Sequence, residues 1–341
     1  MKIDRLKLKK ALETVKPGLG KDTYFEQADS FAFAKGFILT FNNEVCMKYP
    51  LDEVDFQGAV ESEEIYKFLA KSKSDEISLE VEEDTLVMKS GRSKAGVPIN
   101  EELFLPVGEI STDDSDWVDI PEGFTNACAF AVESCSDDEL NPKINCVHIT
   151  KEGIVESTDN LRISHWKLDE KLEIEDVLIP GKSLTKVIGV KPEKMKIDES
   201  WAHFKNAEGV FISCRIVAET FPNTSPVLNH KKEGIDVHFP ESIDEVLDKA
   251  QIFIEKQSGG IKYVSVTTEG NKFTVESSSE RGWFKEEIET EFENTSVSFN
   301  INPNFLKSIL KLSDTCKLID NMIEFKGENW VYITMTILKN D

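Results

Sequence analysis

Apolar and polar residues alternate along this chain in two rhythms, and both rhythms recur. Ile65, Phe68 and Leu69 in SEEIYKFLAKS stand at i, i+3 and i+4, as do Leu184, Val187 and Ile188 in PGKSLTKVIGV and Leu306, Ile309 and Leu310 in NPNFLKSILKL. That spacing places one apolar stripe on a short helix. Pro180 and Pro303 sit where a first helical turn tolerates proline, and Asn302 is placed to cap. Two strands with a turn between them follow each helix: EISLEV and LVMKSG, KMKID and AHFKN, CKLID and MIEFKG. A second set of stripes, Leu8/Leu12/Val15, Phe124/Ala127/Ala131 and Ile243/Leu247/Ala250, predicts a further helix opening each copy.

Glycines mark the same period. Gly36, Gly153 and Gly270 recur every 117 residues, each followed by alternating apolar positions, and Gly91, Gly209 and Gly327 recur every 118. Glycine is the usual residue where a hairpin turn needs positive φ. Two independent series with one period predict three copies of a unit of helix, strands, helix, strands. The fold class is therefore α+β, with three similar domains, each of two helices packed on antiparallel sheets. The turn-rich stretches GEISTDDSDWVD (108–119) and FPNTSPVLNHKKEGIDVHF (221–239) separate the copies, which gives domains 1–116, 117–233 and 234–341.

Composition narrows the partners. The 341 residues carry 40 Lys and Arg against 63 Asp and Glu, a formal net charge of −23. A bulk-basic nucleic-acid binder is excluded, so any contact with DNA must use a local basic surface on an acidic body. The N-terminus MKIDRLKLKK has no apolar core of a secretory signal, and the longest apolar stretch is far short of a membrane span. Cys46, Cys128, Cys135, Cys146, Cys214 and Cys316 form no CxxC pair and read as reduced, buried thiols of a cytoplasmic protein. The five histidines show no zinc-site spacing, so no metal is expected.

Lysines gather on the second helix of each copy. Lys67/Lys71, Lys182/Lys186 and Lys307/Lys311 are i, i+4 pairs, and Arg5, Lys7, Lys9 and Lys10 load the first helix. Like charges at that spacing cost a few tenths of a kcal/mol. Their recurrence in an acidic chain suggests an anionic partner, although an ordinary solvated face gives the same pattern on any single helix. The segments 124–134, without lysine, and 243–250, mainly acidic, do not share it. Lysine contacts to phosphate give sequence-indifferent attraction, which suits movement along DNA.

Catalytic constellations are missing. Gly18-Leu19-Gly20-Lys21-Asp22-Thr23 has Asp22 where a phosphate loop needs a hydroxyl, and Val15 where it needs glycine. No GxSxG or dinucleotide fingerprint occurs. The acidic run Glu80–Asp84 reads as a solvated edge or hairpin tip. No enzyme activity and no cofactor are expected.

Several strings, in order along the chain, resemble the bacterial sliding clamp, the β subunit of DNA polymerase III. Leu86-Val-Met-Lys-Ser-Gly-Arg-Ser-Lys94 resembles that family's SGRS strand, and Ser157-Thr-Asp-Asn-Leu-Arg-Ile163 its ATDGHRL segment. Ile216-Val-Ala-Glu-Thr-Phe-Pro222 with Val227-Leu228, Phe299–Leu306 and Tyr332-Ile-Thr-Met335 resemble three further passages. Asn160-Leu161 stands for the family's Gly-His, Asn229 and Thr336 replace prolines, and Lys339-Asn340-Asp341 extends the end. These departures mark a divergent member, of a kind that a phage or mobile element carries.

The resemblance implies a DNA-clamp fold that closes into a ring on dimerisation, with helices inside and sheets outside. It implies a processivity factor that encircles double-stranded DNA without reading sequence and tethers a replicative polymerase, placed on DNA by a clamp loader, at the replication fork in the cytoplasm (the host's, for a phage protein). By matching positions, the partner-peptide cleft falls on Ile144, Thr158, Leu161, Arg162, Ile163, Pro222, Val227, Ile333 and Met335. Arg162 would orient the peptide. The DNA channel falls on Arg5, Lys9, Lys10, Lys21, Lys67, Lys71, Lys182, Lys186, Lys307 and Lys311. The homodimer interface includes Ile252 and Phe253. The alternative is a clamp-like regulatory module that binds replication-protein peptides without encircling DNA.

Overall fold

The helical stripes bury in most positions, with Phe68, Ile188 and Leu310 only half-buried. In the computed structural model the α-helices are α1 (Arg5–Val15), α2 (Ser62–Lys71), α3 (Phe124–Val132), α4 (Gly181–Val190), α5 (Ser225–Leu228), α6 (Ile243–Gln251) and α7 (Pro303–Leu310). Leu8, Leu12 and Val15 of α1, Ile65 and Leu69 of α2, and Leu306 and Ile309 of α7 are fully enclosed. Asn302 caps α7 by accepting from the Asn304 amide, and Pro303 takes the first helical position, where its missing N–H costs nothing. Pro180 stands one residue earlier than expected, as the residue before α4. The structure describes residues 1–20, 26–105, 110, 115–254, 262–280 and 282–337. Lys21 and the tail 339–341 lie outside the described residues, as does the second half of the phosphate-loop-like string.

Two compact units result. One comprises residues 1–129, 150–152 and 170–218, the other 130–149, 153–169 and 219–341. The middle repeat is thus divided, because its strands pair edge to edge with those of the repeats on either side. In the first unit an antiparallel sheet runs Gly58–Glu61, Ser30–Ala34, Phe37–Phe41, Val45–Pro50, Phe211–Arg215, Trp201–Lys205, Lys194–Ile197 and Val118–Asp119. Its junction between repeats pairs Lys48 with Phe211 and Val45 with Cys214. A second sheet holds Lys2–Asp4, Glu76–Glu82, Thr85–Ser90 and Ser93–Pro98 in that order.

The second unit repeats the plan. Its strands run Cys146–Ile149, Ile154–Thr158, Arg162–Lys167, Trp330–Met335, Met322–Lys326, Thr315–Ile319 and Ile235–His238. The junction pairs Ile163 with Ile333 and Trp166 with Trp330. A separate two-stranded ribbon joins Val264–Ser279 to Gly282–Ile301. Its core gathers Phe239, Phe273, Phe325 and Tyr332 under α6 and α7. Strand alternation sends Trp330 and Tyr332 to this helix side, while Val331, Ile333 and Met335 face the other way.

The glycine series holds in four of six places. Gly36, Gly91, Gly153 and Gly209 adopt left-handed φ between +57° and +82°. Gly270 is left-handed too, but it sits inside the ribbon at a shift of register rather than in a hairpin turn. Gly327 has no left-handed φ; it is glycine because Trp330 lies against it, and an added Cβ would stand 2.3 Å from the indole nitrogen.

Candidate functional site

Seven of the nine predicted cleft residues can be followed onto or beside one sheet face in the second unit. Thr158, Ile163 and Ile333 stand on the outward face of paired strands, opposite the helices. Ile319, Met322 and Ile333 form a small apolar cluster there, joined by Leu228, Val331 and Met335. The Met335 amide donates to the Leu161 carbonyl at 2.8 Å, which brings Leu161 to the rim. Leu161 is 45% exposed and Val227 37%, whereas Ile163 and Ile333 are buried. Pro222 is half-buried in the segment leading to α5, and Ile144 is buried in its own loop. Leu228, Met322 and Ile319 were not among the predicted residues. The Met322–Met335 pairing was readable from the hairpin, but Leu228 becomes a wall residue only through α5.

Arg162 is placed differently from a free peptide contact. It pairs with Thr334, and its guanidinium lies 4.2 Å above the Phe305 ring on the helix side. Its Nε donates to Asp159 at 2.8 Å. Asp159 also accepts the amides of Leu161 and Arg162, so the carboxylate organises the turn. Asn160 takes φ +72° in that turn. Its resemblance partner is glycine, and asparagine tolerates the left-handed region best after glycine.

A polar cluster lies beside the apolar one on the same face. The Glu156 carboxylate accepts from His148 Nδ1 at 3.0 Å, His165 Nδ1 at 3.2 Å and Thr224 Oγ1 at 2.8 Å. Because a carboxylate only accepts, each imidazole presents its Nδ1–H. Burial pushes the Glu156 carboxyl up, but the three hydrogen bonds outweigh it and hold the group at about 2. Phe221 stacks on His148 at 4.9 Å. Farther along, His230 Nε2 meets Glu324 at 3.0 Å. None of these groups was singled out from the sequence, since the four partners of Glu156 and Glu324 are scattered over 83 positions.

The basic candidates split into two sets. Lys67 is bonded to Glu63, Lys307 to Asp248 of α6, Lys9 to Glu13 at 3.4 Å and Lys10 to Glu208 at 2.7 Å. Arg5 donates to the Ser74 carbonyl. Lys71 and Lys311 are exposed with no carboxylate partner among the described residues, Lys182 is exposed, and Lys186 is half-buried. Helix α2 carries as many glutamates as lysines and is neutral, while α4 has lysines alone. Lysines are therefore densest on α1 and α4 in the first unit, but the groove of about 320 Å³ in which Lys10 and Thr14 meet Val190 and Lys191 also holds Glu193 and Glu208.

Every sheet has two end strands, and two of these ends bear on the predicted interface. Ser93–Pro98 is one end of the four-stranded sheet, and the strand beginning at Gly282 pairs along its length with Val264–Ser279, with one further bridge from Asn300 to Ile337. Ile252 is 74% exposed and Trp283 73%, and Phe253 stacks on Phe284 at 6.5 Å beside that second edge. The predicted interface residues thus adjoin an open strand, and Trp283 and Phe284 extend the apolar patch. The cysteines are all free; burial pushes the thiols of Cys46, Cys135 and Cys146 up to about 12, so they are inert at neutral pH. Among the described residues no group of His, Cys, Asp and Glu is arranged to hold a metal, and no helix is long and apolar enough to cross a membrane.

No protein-family model and no curated protein matches the chain. Solved structures do. The DNA polymerase III β chain from Streptococcus pneumoniae superposes with a TM-score of 0.82 at 15% identity, over 99% of both chains. The β subunit from Thermotoga maritima gives 0.79 at 19%, again over 99% of both. The DNA polymerase sliding clamp from Bacillus subtilis gives 0.79 at 16%, over 99% of this chain and 98% of that one. The chain has the α+β fold of the DNA sliding clamps along nearly its whole length.

Proposed function

We propose that this chain is a DNA sliding clamp, a polymerase processivity factor of the DNA polymerase III β-subunit type, with repeats 1–116, 117–233 and 234–341 as its three clamp domains. Similarity of fold to solved clamps supports the class. The observation that carries the reading is the unfinished pattern of sheet edges. Strands Val45–Pro50 and Arg162–Lys167 stand 117 residues apart, and each is joined by the closing strand of the following repeat, Phe211–Arg215 and Trp330–Met335. The same period carries the first series to the hairpin end of the two-stranded ribbon, where Ser279 pairs with Gly282, and the second series back to Ser93–Pro98, an end strand of the four-stranded sheet.

Those two edges are complementary parts of one interface. They lie on different repeats, so pairing them between two copies is head-to-tail, and a second copy closes the cycle into a homodimeric ring. Pairing also removes exposed edges that would otherwise template aggregation. A duplex in the ring meets the lysines of α1 and α4 and the unpaired Lys71 and Lys311. These contacts are salt-dependent and indifferent to sequence, and the acidic exterior repels DNA. The ring needs no tight binding, because topology retains it. The cleft around Leu161, Val227, Ile333 and Met335 takes an apolar anchor of a replicative polymerase or of the clamp loader, and tethering raises the polymerase's effective concentration at the primer end. The protein on this reading is a tether and performs no catalysis.

After loading, the protein should remain on nicked circular DNA through a high-salt wash and be lost once the circle is linearised; equal loss from both forms sinks the encircling ring. Light scattering over a concentration series should reach about twice the 38.5 kDa chain mass. Leu161→Ala with Met335→Ala should abolish stimulation of primer extension with the dimer intact.

A second reading has one observation in its favour. Lys10, Lys67 and Lys307 already have carboxylate partners, and α6 brings Asp244, Glu245 and Asp248 against a single lysine. A clamp-like regulatory module that binds partner peptides without encircling DNA accommodates those pairs. The circular-DNA experiment separates the two.

A further inference from the structure

The buried Glu156 cluster has no part in the clamp reading so far, yet it is tied to the cleft. Thr224 is the link. Its hydroxyl donates to Glu156, and its own carbonyl accepts from the amides of Val227 and Leu228, which starts the single turn of α5. Leu228 then packs beside Met335 and against Ile319, Met322 and Ile333, and Val227 stands exposed at the rim. A four-residue helix has no stability of its own, since nucleation costs more than one turn returns. Its position must come from anchors. One is Thr224 on Glu156, with Phe221 stacked on His148; the other, after the helix, is His230 on Glu324.

The sheet fixes Glu156 before α5 arrives. It is paired across the ladder with His148 on one side and His165 on the other, so both imidazoles reach its carboxylate from neighbouring strands at the same level. Each oxygen then has a committed donor, and the carboxylate has one rotamer in which all three bonds are made. The hydroxyl that completes the set comes from the cleft wall. With Thr224 withdrawn, Oε2 keeps the His165 donor but loses one of its two bonds, which is unfavourable for a buried carboxylate.

We propose that Glu156, oriented by His148 and His165, is a positioning residue that fixes the Ser225–Leu228 wall of the peptide cleft through Thr224. The inference rests on the cleft assignment for its functional consequence, while the structural part stands on the free protein alone. The wall packs through Leu228 alone and is otherwise held by its tethers, so loss of a single hydroxyl should loosen it without unfolding the sheet beneath.

Amide hydrogen exchange on the full-length protein at neutral pH tests the structural part, with no DNA, polymerase or peptide present. Thr224→Val removes the hydroxyl at nearly constant volume and should speed exchange of the Val227, Leu228 and Asn229 amides at least tenfold. Thr224→Ser restores the donor and should stay within about twofold of the parent. Exchange in the strands 154–158 and 330–335 should be unchanged in both. Glu156→Gln, which keeps the shape and removes the charge, should also loosen the wall, and it serves if Thr224→Val does not fold. Unchanged protection in Thr224→Val, or in Glu156→Gln used in its place, overturns the proposal. Primer-extension stimulation then reads the consequence: reduced about tenfold by Thr224→Val and rescued by Thr224→Ser. A loosened wall with full stimulation overturns the role in the cleft; a fixed wall in a protein that fails to stay on circular DNA overturns the clamp reading and leaves the anchor standing.

Discussion

The two junctions where repeats meet edge to edge are built alike and finished differently. At the first, the segment leaving repeat one lays Leu105 and Ile110 on the outward face among Leu39, Phe41, Cys46 and Trp201. Arg215 stacks on Trp201 at 4.2 Å, over a groove of about 360 Å³. At the second, the corresponding segment brings Thr224 onto the buried carboxylate of Glu156 and His230 onto the partly exposed one of Glu324, and adds only Leu228 to the apolar cluster. The first junction is plugged by apolar side chains. The second is held by hydrogen bonds at two points and leaves Leu161 and Val227 open to a partner. An apolar plug fills the first junction from within, whereas polar tethers at the margins of the second hold a wall in place and expose apolar side chains only at the rim, Ile319 and Ile333 beneath being buried.

If that contrast is right, the largest effects come from the plug. Trp201→Ala should cost about 3–5 kcal/mol, since it opens a cavity in a closed cluster. Ile333→Ala, in the smaller cluster of the second junction, should cost less, about 2–3 kcal/mol. Chemical denaturation of each variant measures both, and equal losses would erase the distinction between plugged and tethered.

Acid should act the other way round. The Glu156 carboxyl is held at about 2 against an ordinary 4.5. A depressed folded value means that the stabilisation is present above the unfolded pKa and is lost as pH falls towards 2. The amount is about 3 kcal/mol, on the usual equivalence of pKa shift and free energy. At the first junction, Asp198 is pushed up by burial but lowered overall by bonds from His203 and from the Ser200 and Trp201 amides. It is more exposed, so its share should be smaller. Unfolding free energies between pH 2 and 6 should flatten in Glu156→Gln and stay close to wild type in slope for Asp198→Asn.

The smallest effect concerns the turn that sets Leu161. Asn160→Ala places an ordinary side chain at φ +72° and should cost about 1 kcal/mol, with Asn160→Gly near neutral. A thermal melt distinguishes the two.

Much of this molecule was legible in its sequence because its elements are local and repeated. An i, i+3, i+4 stripe defines a buried helix face whatever lies opposite, so the six longer helices could be read directly. Left-handed turns demand glycine on their own account, which exposed the period at Gly36, Gly91, Gly153 and Gly209. The lysine pairs could be counted, but not their partners: Glu63 is one turn away from Lys67, whereas Asp248 reaches Lys307, and Glu208 reaches Lys10, only across the fold.

What tertiary structure alone decided are the meetings of distant residues. Arg162 could be placed in a strand, yet which face it took depended on its pairing with Thr334 and on Phe305 waiting beneath it. His148, Glu156, His165 and Thr224 carry no local signal, since hydrogen-bonding side chains in strands and loops are ordinary until a sheet aligns them. Periodicity is a property of one segment and is written in its order of residues. A site is a property of several segments, and it exists only once packing has fixed the distances between them.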